Sequence, residues 1–360
     1  MKVLMIARKT LYTSPGGDTI QIVSTASNLR SLQIDVDVCI DVSNLEYGAY
    51  SLIHFFNIIR PDDILPHIKK SKIPYLISTI FVDYSEFDKR QGGFKGIVAR
   101  VLGLDKMEYL KAVARILVNG DRINSKYYLI NGHRKSVSLV AKNAALLLPN
   151  SHSEFARLKS QYNIEAPYKV VVNAIDENLF NKDVSPDTSF TDHILCVGRI
   201  EGRKNQLNLI KALMDTDLPL TIIGKPSPNH VDYYEQCLAL VKTKKNMRIL
   251  NHVNHEDLPS IFKSAKVHVL PSWFETTGLS SLEAGAMGCN VVISNKGDTY
   301  EYFKDLAYYC NPDDITSIKK AVIAAYVDER QSELQSLILN EYTWRKAALQ
   351  TLSAYKSVLS

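Results

Sequence analysis

The chain has 360 residues, of which 46% are hydrophobic and 22% charged, enough for two globular cores and too apolar for a disordered chain. No apolar run approaches the roughly 20 residues of a membrane-spanning helix, and the opening MKVLMIARK is charged too early for a secretion signal. The net charge of +5 is uneven: residues 1–175 hold 23 Lys and Arg against 15 Asp and Glu, and the remainder 20 against 23. The basic first half suits an anionic partner (a membrane surface, a phosphorylated acceptor or nucleic acid), although a solvated basic face reads the same way.

Val3–Ala7 reads as a first buried strand. The loop Arg8–Asp18 holds Pro15, Gly16 and Gly17, and a helical pattern follows through Ile20, Val23, Ala26, Leu29 and Leu32. Val36–Ile40, Leu52–Phe56 and Tyr75–Ile80 continue the strands, with Ile64–Lys70 helical between the last two. Strands alternating with helices predict a doubly wound parallel sheet, an α/β fold with ligands beyond the C-terminal strand ends. Gly16-Gly17, His54 and Asp83 fall at such ends, His54 more in keeping with a structural histidine. Between Lys89 and Arg115 seven basic residues stand against two acidic. That spacing fits a packed helix with snorkelling cations, the favoured reading, or an interfacial helix on an anionic membrane. Leu146–Pro149 is a further strand, Asn150-Ser151 caps a helix to about Tyr162, Tyr168–Asn173 is the last strand of the first half, and the polar Asn173–Ser189 is a linker.

The second half restarts the alternation. Ile194–Val197 leads into Gly198-Arg199, and Leu220–Ile223 into Gly224-Lys225, with helices at Gln206–Met214, Val231–Lys244 and Asp257–Ser264 and a strand at Met247–Asn251. Val267–Leu270 and Val291–Ser294 flank a loop with Glu275, Thr276, Thr277 and Gly278, then a small-residue helix beginning near Leu279 and carrying Glu283. Tyr308–Cys310 is a short strand, and helices are expected at Asp313–Ala325 and Thr343–Leu359. A strand end followed by Arg199, Arg203 and Lys204 at the next helix start suits a diphosphate. A second helix end flanked by Glu275 and Glu283 suits a phosphate-bearing ligand with hydroxyls, and a carboxylate such as Glu283 in a small-residue stretch wants partners such as a ribose diol. There is no P-loop and no G-x-G-x-x-G fingerprint. No His, Cys or Asp spacing argues for a metal. The five cysteines (39, 196, 237, 289 and 310) read as reduced residues of a cytoplasmic protein.

VGRIEGRKNQ (197–206) and VHVLPSWFETTGLSSLEAGAMGCNVVIS (267–294), with LPNS (148–151) and VVNAIDENLF (171–180), resemble retaining glycosyltransferases of family 4, which have the GT-B fold. YLISTIFVDYSEF and GDTYEYFKDLAYYCNPDD point within them to a branch that builds bacterial surface polysaccharide. The resemblance implies two Rossmann-like domains facing a cleft, 1–175 for the acceptor and 176–340 for the donor, with 341–360 crossing back to the first. It implies a nucleotide-sugar donor, a glycan or lipid-linked glycan acceptor and no metal or cofactor. Arg199 and Lys204 would hold the diphosphate, Glu283 the ribose, and Glu275 with Thr276, Thr277, Gly278 and Leu279 the sugar and phosphate. Gly16 and Gly17 would approach the diphosphate from the first domain. The family often has glycine and an aromatic where Thr276-Thr277 stand, and a histidine where Phe81 stands, with Asp83 as its substitute near the reacting centre. Such an enzyme would be cytoplasmic, on the inner membrane face if the basic stretch binds there. A GT-B epimerase or phosphorylase and a non-enzymatic nucleotide-sugar- or nucleic-acid-binding module are the alternatives.

Overall fold

The computed structural model describes residues 1–13, 16–40, 45–90, 105–110, 123–227 and 229–360. Of the basic stretch from Lys89 to Arg115, residues 91–104 and 111–115 lie outside the described residues, as does Pro15. The chain divides into two compact units, Met1–Asn173 with Trp344–Ser360, and Ala174–Thr343.

The first unit is built on β1 (Lys2–Ile6), β2 (Asp35–Cys39), β3 (Leu52–Phe56), β4 (Tyr75–Ser78) and β5 (Leu146–Leu148). They pair in the order β2-β1-β3-β4-β5, every pair parallel. The near-continuous apolar character of β3, β4 and β5 follows from burial on both faces, whereas the edge strand β2, DVDVC, buries only Val36. Leu4, Ile53, Phe55, Ile77 and Leu147 form one core with residues of the covering helices, such as Val137 and Leu158. Those helices include α1 (Gly17–Ser31), α2 (Pro61–Lys70), α4 (Lys126–Lys142) and α5 (His152–Tyr162), while the short α3 (Ser85–Arg90) buries no residue. Helix α1 buries Ile22, Thr25, Ala26 and Leu29, whereas Ile20 and Val23 are exposed. The apolar stripe expected through Ile20 and Val23 is therefore rotated from the face that meets the sheet.

Tyr168–Asn173 is not a strand. It touches β5 through one isolated bridge, Leu147 to Tyr168. Pro167 beside it and Pro149 opposite Val171 lack the N–H donors a continued ladder needs. His54 lies inside β3 rather than at its end. Its buried ring stacks on Phe56 with centroids 4.2 Å apart, and hydrogen-bonds Ser78 Oγ at 2.9 Å and the Tyr355 hydroxyl at 2.7 Å. Burial pushes its pKa down to about 3, so it acts as a neutral pin for the closing helix Trp344–Leu359. That helix packs on α1 of the same unit, and Gln350 Oε1 accepts from Val172 N at 3.0 Å.

The turn after β4 is held by Glu154, fully buried in the first turn of α5. Its carboxylate accepts from the Thr79 hydroxyl, from Phe81 N at 2.8 Å and from Asn150 N at 2.8 Å. Between two of these anchors Ile80 sits at φ +44°, a conformation a β-branched residue adopts only when its surroundings impose it.

The second unit has β6 (Ile194–Val197), β7 (Leu220–Ile223), β8 (Met247–Leu250), β9 (Val267–Leu270), β10 (Asn290–Ser294) and β11 (Tyr308–Cys310). Its sheet runs β11-β10-β9-β6-β7-β8, again parallel throughout. The covering helices are α6 (Gln206–Leu213), α7 (Val231–Val241), α8 (Leu258–Ser264), α9 (Leu279–Ala286), α10 (Thr299–Phe303), α11 (Ile315–Val327) and α12 (Ser332–Glu341). Helix α12 was not expected from the sequence; it buries only Leu334 and Ile338 and is otherwise partly or fully exposed. Two positions four apart leave too faint a period to read. The strand order reverses between β6 and β9, and such a switch point opens a crevice at the carboxyl ends of the strands. Both motifs singled out in this half lie there. Among the described residues no helix is long and apolar enough to cross a membrane.

Candidate active site

The first side of the site grows out of β6. Gly198 N donates to Ile223 O at 3.0 Å, and a Cβ on Gly224 would lie 1.9 Å from Gly198 O. Only glycine at 224 lets the two strand ends come this close. Arg199 follows, its carbonyl accepting from Gln206 Nε2 at 2.8 Å. Glu201 is buried and accepts from Ser227 Oγ at 2.8 Å. Burial raises its pKa, but Arg199, the Ser227 hydroxyl, Arg203 and Lys204 outweigh that and hold it below the ordinary range. It therefore stays charged among those cations.

Gly202–Lys204 form a single 3-10 turn that ends at Asn205, a left-handed residue at φ +63° that also caps α6. Asparagine tolerates that conformation better than most residues. Its side-chain amide donates to Pro271 O at 3.1 Å and to Pro312 O at 2.8 Å. Trp273 N donates to Arg203 O at 2.9 Å. The loop after β6 is thus stitched to the loop after β9, and Lys204 Nζ reaches Glu275 Oε1 at 2.6 Å with both side chains largely buried.

Glu275 is held by its backbone too. It bridges to Gly297, and its carbonyl accepts from Asp298 N at 2.9 Å. Gly297 has φ +84°, and a Cβ there would lie 2.0 Å from Glu275 O. Thr276 is half-buried and Thr277 buried. The helix cap is Gly278 at φ +78°, not a threonine side chain; its carbonyl accepts from Ser281 N and Leu282 N. Leu279 opens α9, whose N-terminal N–H groups and dipole favour an anion.

Glu283 is the fifth residue of α9, and its side chain is 11% exposed. Its Oε1 lies 2.9 Å from Nε2 of His255, at the start of the 3-10 turn His255–Asp257. Hydrogen bonding to Glu283 raises the His255 pKa; burial opposes this, and the charges of Glu283, Asp176 and Glu256 add to it. Because the folded value lies above the unfolded one, the pair's contribution to stability is complete below the unfolded pKa. It is lost as the pH rises through the folded value. We expect the urea midpoint of the unmodified chain to lose this contribution as the pH rises above the ordinary histidine range, and His255→Gln to lack that component. Superimposable profiles for the two proteins would contradict it.

Arg199, Lys204, Glu275, Thr276, Thr277, Gly278, Leu279 and Glu283 therefore all lie in loops or the first two helical turns of elements in the second unit. Gly16, Gly17 and Asp83 lie in the first. Gly16 is the extended N-cap of α1 and Gly17 its first residue. Their loop is clipped by Arg8, whose guanidinium meets Asp18 at 2.6 and 3.0 Å. Asp83 Oδ1 accepts from Ser85 N at 2.8 Å, the geometry of an acid capping a turn. Asn205, His255 and Gly297 were missed by sequence reasoning.

Residues 178–343 match the family described as Glycosyl transferases group 1. Over 174 residues, 46% of the chain, the sequence is 29% identical to O-antigen chain mannosyltransferase B of Escherichia coli, an alignment that takes in 45% of that protein. Sucrose-phosphate synthase from Thermosynechococcus elongatus superposes with a TM-score of 0.76 at 16% identity, over 99% of each chain. HepE from Anabaena, solved in complex with UDP-glucose, superposes with a TM-score of 0.73 at 15% identity, over 99% of this chain and 100% of its own. The chain thus has the GT-B fold, and its second unit matches the group 1 glycosyl transferases, which together support a glycosyltransferase.

Proposed function

We propose that the protein moves a sugar from a nucleoside-diphosphate donor to a hydroxyl of a glycan or lipid-linked glycan, with retention at the anomeric carbon, in the assembly of cell-surface polysaccharide. The observation that carries this reading is Lys204 paired with Glu275 at the switch point of the second sheet, beside Arg199 and the N-terminus of α9. In this reading Arg199, Lys204 and the helix N-terminus take up the charge that develops on the departing diphosphate, in place of a metal ion. Glu275 and the Thr276–Leu279 backbone meet the sugar and its phosphate, and Glu283 accepts from the ribose hydroxyls. Gly16, Gly17 and Asp83 are the first unit's contribution. The acceptor oxygen attacks on the face the nucleotide leaves. The family 4 resemblance supports retention and the O-antigen relative supports the surface-glycan role; a membrane-facing role for the basic stretch rests on its charge.

A thermal-shift panel of nucleotide sugars tests the donor, since a ligand that binds only the folded state raises the melting temperature by mass action. One or more donors should raise the midpoint, and Glu283→Ala should weaken that donor's affinity by about tenfold or more in calorimetry. Loss of no affinity would remove Glu283 from the site. Incubation with the donor alone should leave it unchanged; conversion to an epimer would favour the epimerase. A thermal shift with no product on any glycan acceptor would favour a binding module.

A further inference from the structure

Glu283 has a side-chain partner that donor binding, as described, does not use. His255 follows β8 and begins the turn into α8. Its ring stands edge-on to the fully buried Phe180, with centroids 5.4 Å apart. One edge is thus fixed by the core, and half of the His255 side chain remains exposed. The charged groups acting on it are Glu283, Asp176 and Glu256, all acids. An ionised carboxylate only accepts, so Nε2 carries the hydrogen and donates to Glu283 Oε1. A carboxylate offers about four lone-pair sites. With one taken by His255 at 2.9 Å, rotation of the carboxylate is restricted and about three lone-pair sites remain for other donors.

We propose that His255 is a positioning residue for nucleotide recognition: its Nε2–H fixes the Glu283 carboxylate so that the remaining lone pairs meet the vicinal 2′- and 3′-hydroxyls of the donor ribose. This rests on the donor-site reading above. The pairing makes discrimination between ribose and a sugar lacking those hydroxyls depend on a residue from another loop, 28 positions earlier in the chain.

The test is a binding cycle by calorimetry with UDP and GDP, carried forward with whichever binds the unmodified chain, and with the 2′,3′-dideoxy form of that nucleotide. His255→Phe should weaken the ribonucleotide about five- to tenfold and leave the dideoxy form unchanged. His255→Gln, whose amide N–H can replace Nε2–H, should recover most of the loss. Thermal melts confirm that the variants fold. Equal weakening of both nucleotides would show a structural role only and overturn the proposal, as would unchanged or tighter ribonucleotide binding. The underlying reading fails differently: neither nucleotide binds the unmodified chain, or Glu283→Gln treats the two forms alike. If Glu283→Gln discriminates and His255→Phe does not, only the positioning role is lost.

Discussion

Lys204→Ala should lower kcat by about 100- to 1000-fold, about 3–4 kcal/mol of lost transition-state stabilisation, the range found when one fixed donor to a developing oxyanion is removed. Two features of the site set that size. The Lys204 ammonium is held at 2.6 Å from Glu275 and is only 23% exposed. On the proposed function, its position would therefore need no reorganisation as charge develops on the leaving diphosphate. The variant also leaves the Glu275 carboxylate, 11% exposed, without this cation, so some stability is lost along with the rate. A cooperative melt separates the two effects. Arg199→Ala should act in the same direction, and the double variant should cost less than the product of the singles, because both cations answer one charge. Single-turnover transfer from the donor identified by thermal shift gives the rates. A kcat within threefold of the parent in both single variants would remove these cations from the chemistry.

Gly297→Ala should destabilise the second unit by about 2–4 kcal/mol and abolish most transfer. A methyl group there would lie 2.0 Å from the Glu275 carbonyl, at a φ of +84° that side chains rarely adopt. Backbone on both sides must move, and the bridge that presents Glu275 opens with it. Gly288→Ala supplies the control. Its φ is +89°, yet the nearest atom to an added Cβ there is a glutamine side-chain nitrogen at 3.5 Å. It should show only the cost of the strained conformation, about 1 kcal/mol. Urea titrations of the two variants isolate the contact at Glu275. Equal midpoints would mean that Gly297 is not what holds that loop.

The alternation of strands and helices was readable because buried parallel strands are apolar on both faces and end in punctuation, as at Val197-Gly198 and Leu270-Pro271. The charged residues of the candidate site were readable for a related reason: Arg199, Lys204, Glu275 and Glu283 stand beside strand ends and helix starts, within a few residues of those marks. What escaped reading is what joins separate loops. Asn205 contacts Pro271 and Pro312, and Gly297 clamps Glu275. His255 reaches Glu283 from another strand end. None of these pairings has a local period. Each depends on which strands become neighbours, and parallel order is not visible in spacing. The mistaken strand at Tyr168–Asn173 has the opposite origin, since its local pattern was right and its proline neighbours withheld the ladder.

The reversal of strand order in the second unit also governs how this site comes into being. Strand β6 pairs on one side with β7, its next neighbour in the chain, and on the other with β9, whose first paired residue, Val267, lies 73 positions after Ile194. Closing that pairing carries the entropy of a long loop, so it belongs to the slow part of folding. Until it closes, the chain holds Arg199 and Lys204 with Glu201 among them, but Glu275 is not yet held against Lys204. The candidate site is therefore a property of the finished sheet alone. On the proposed function, a partly folded chain would lack the Lys204–Glu275 pair, and donor binding would report a completed second sheet.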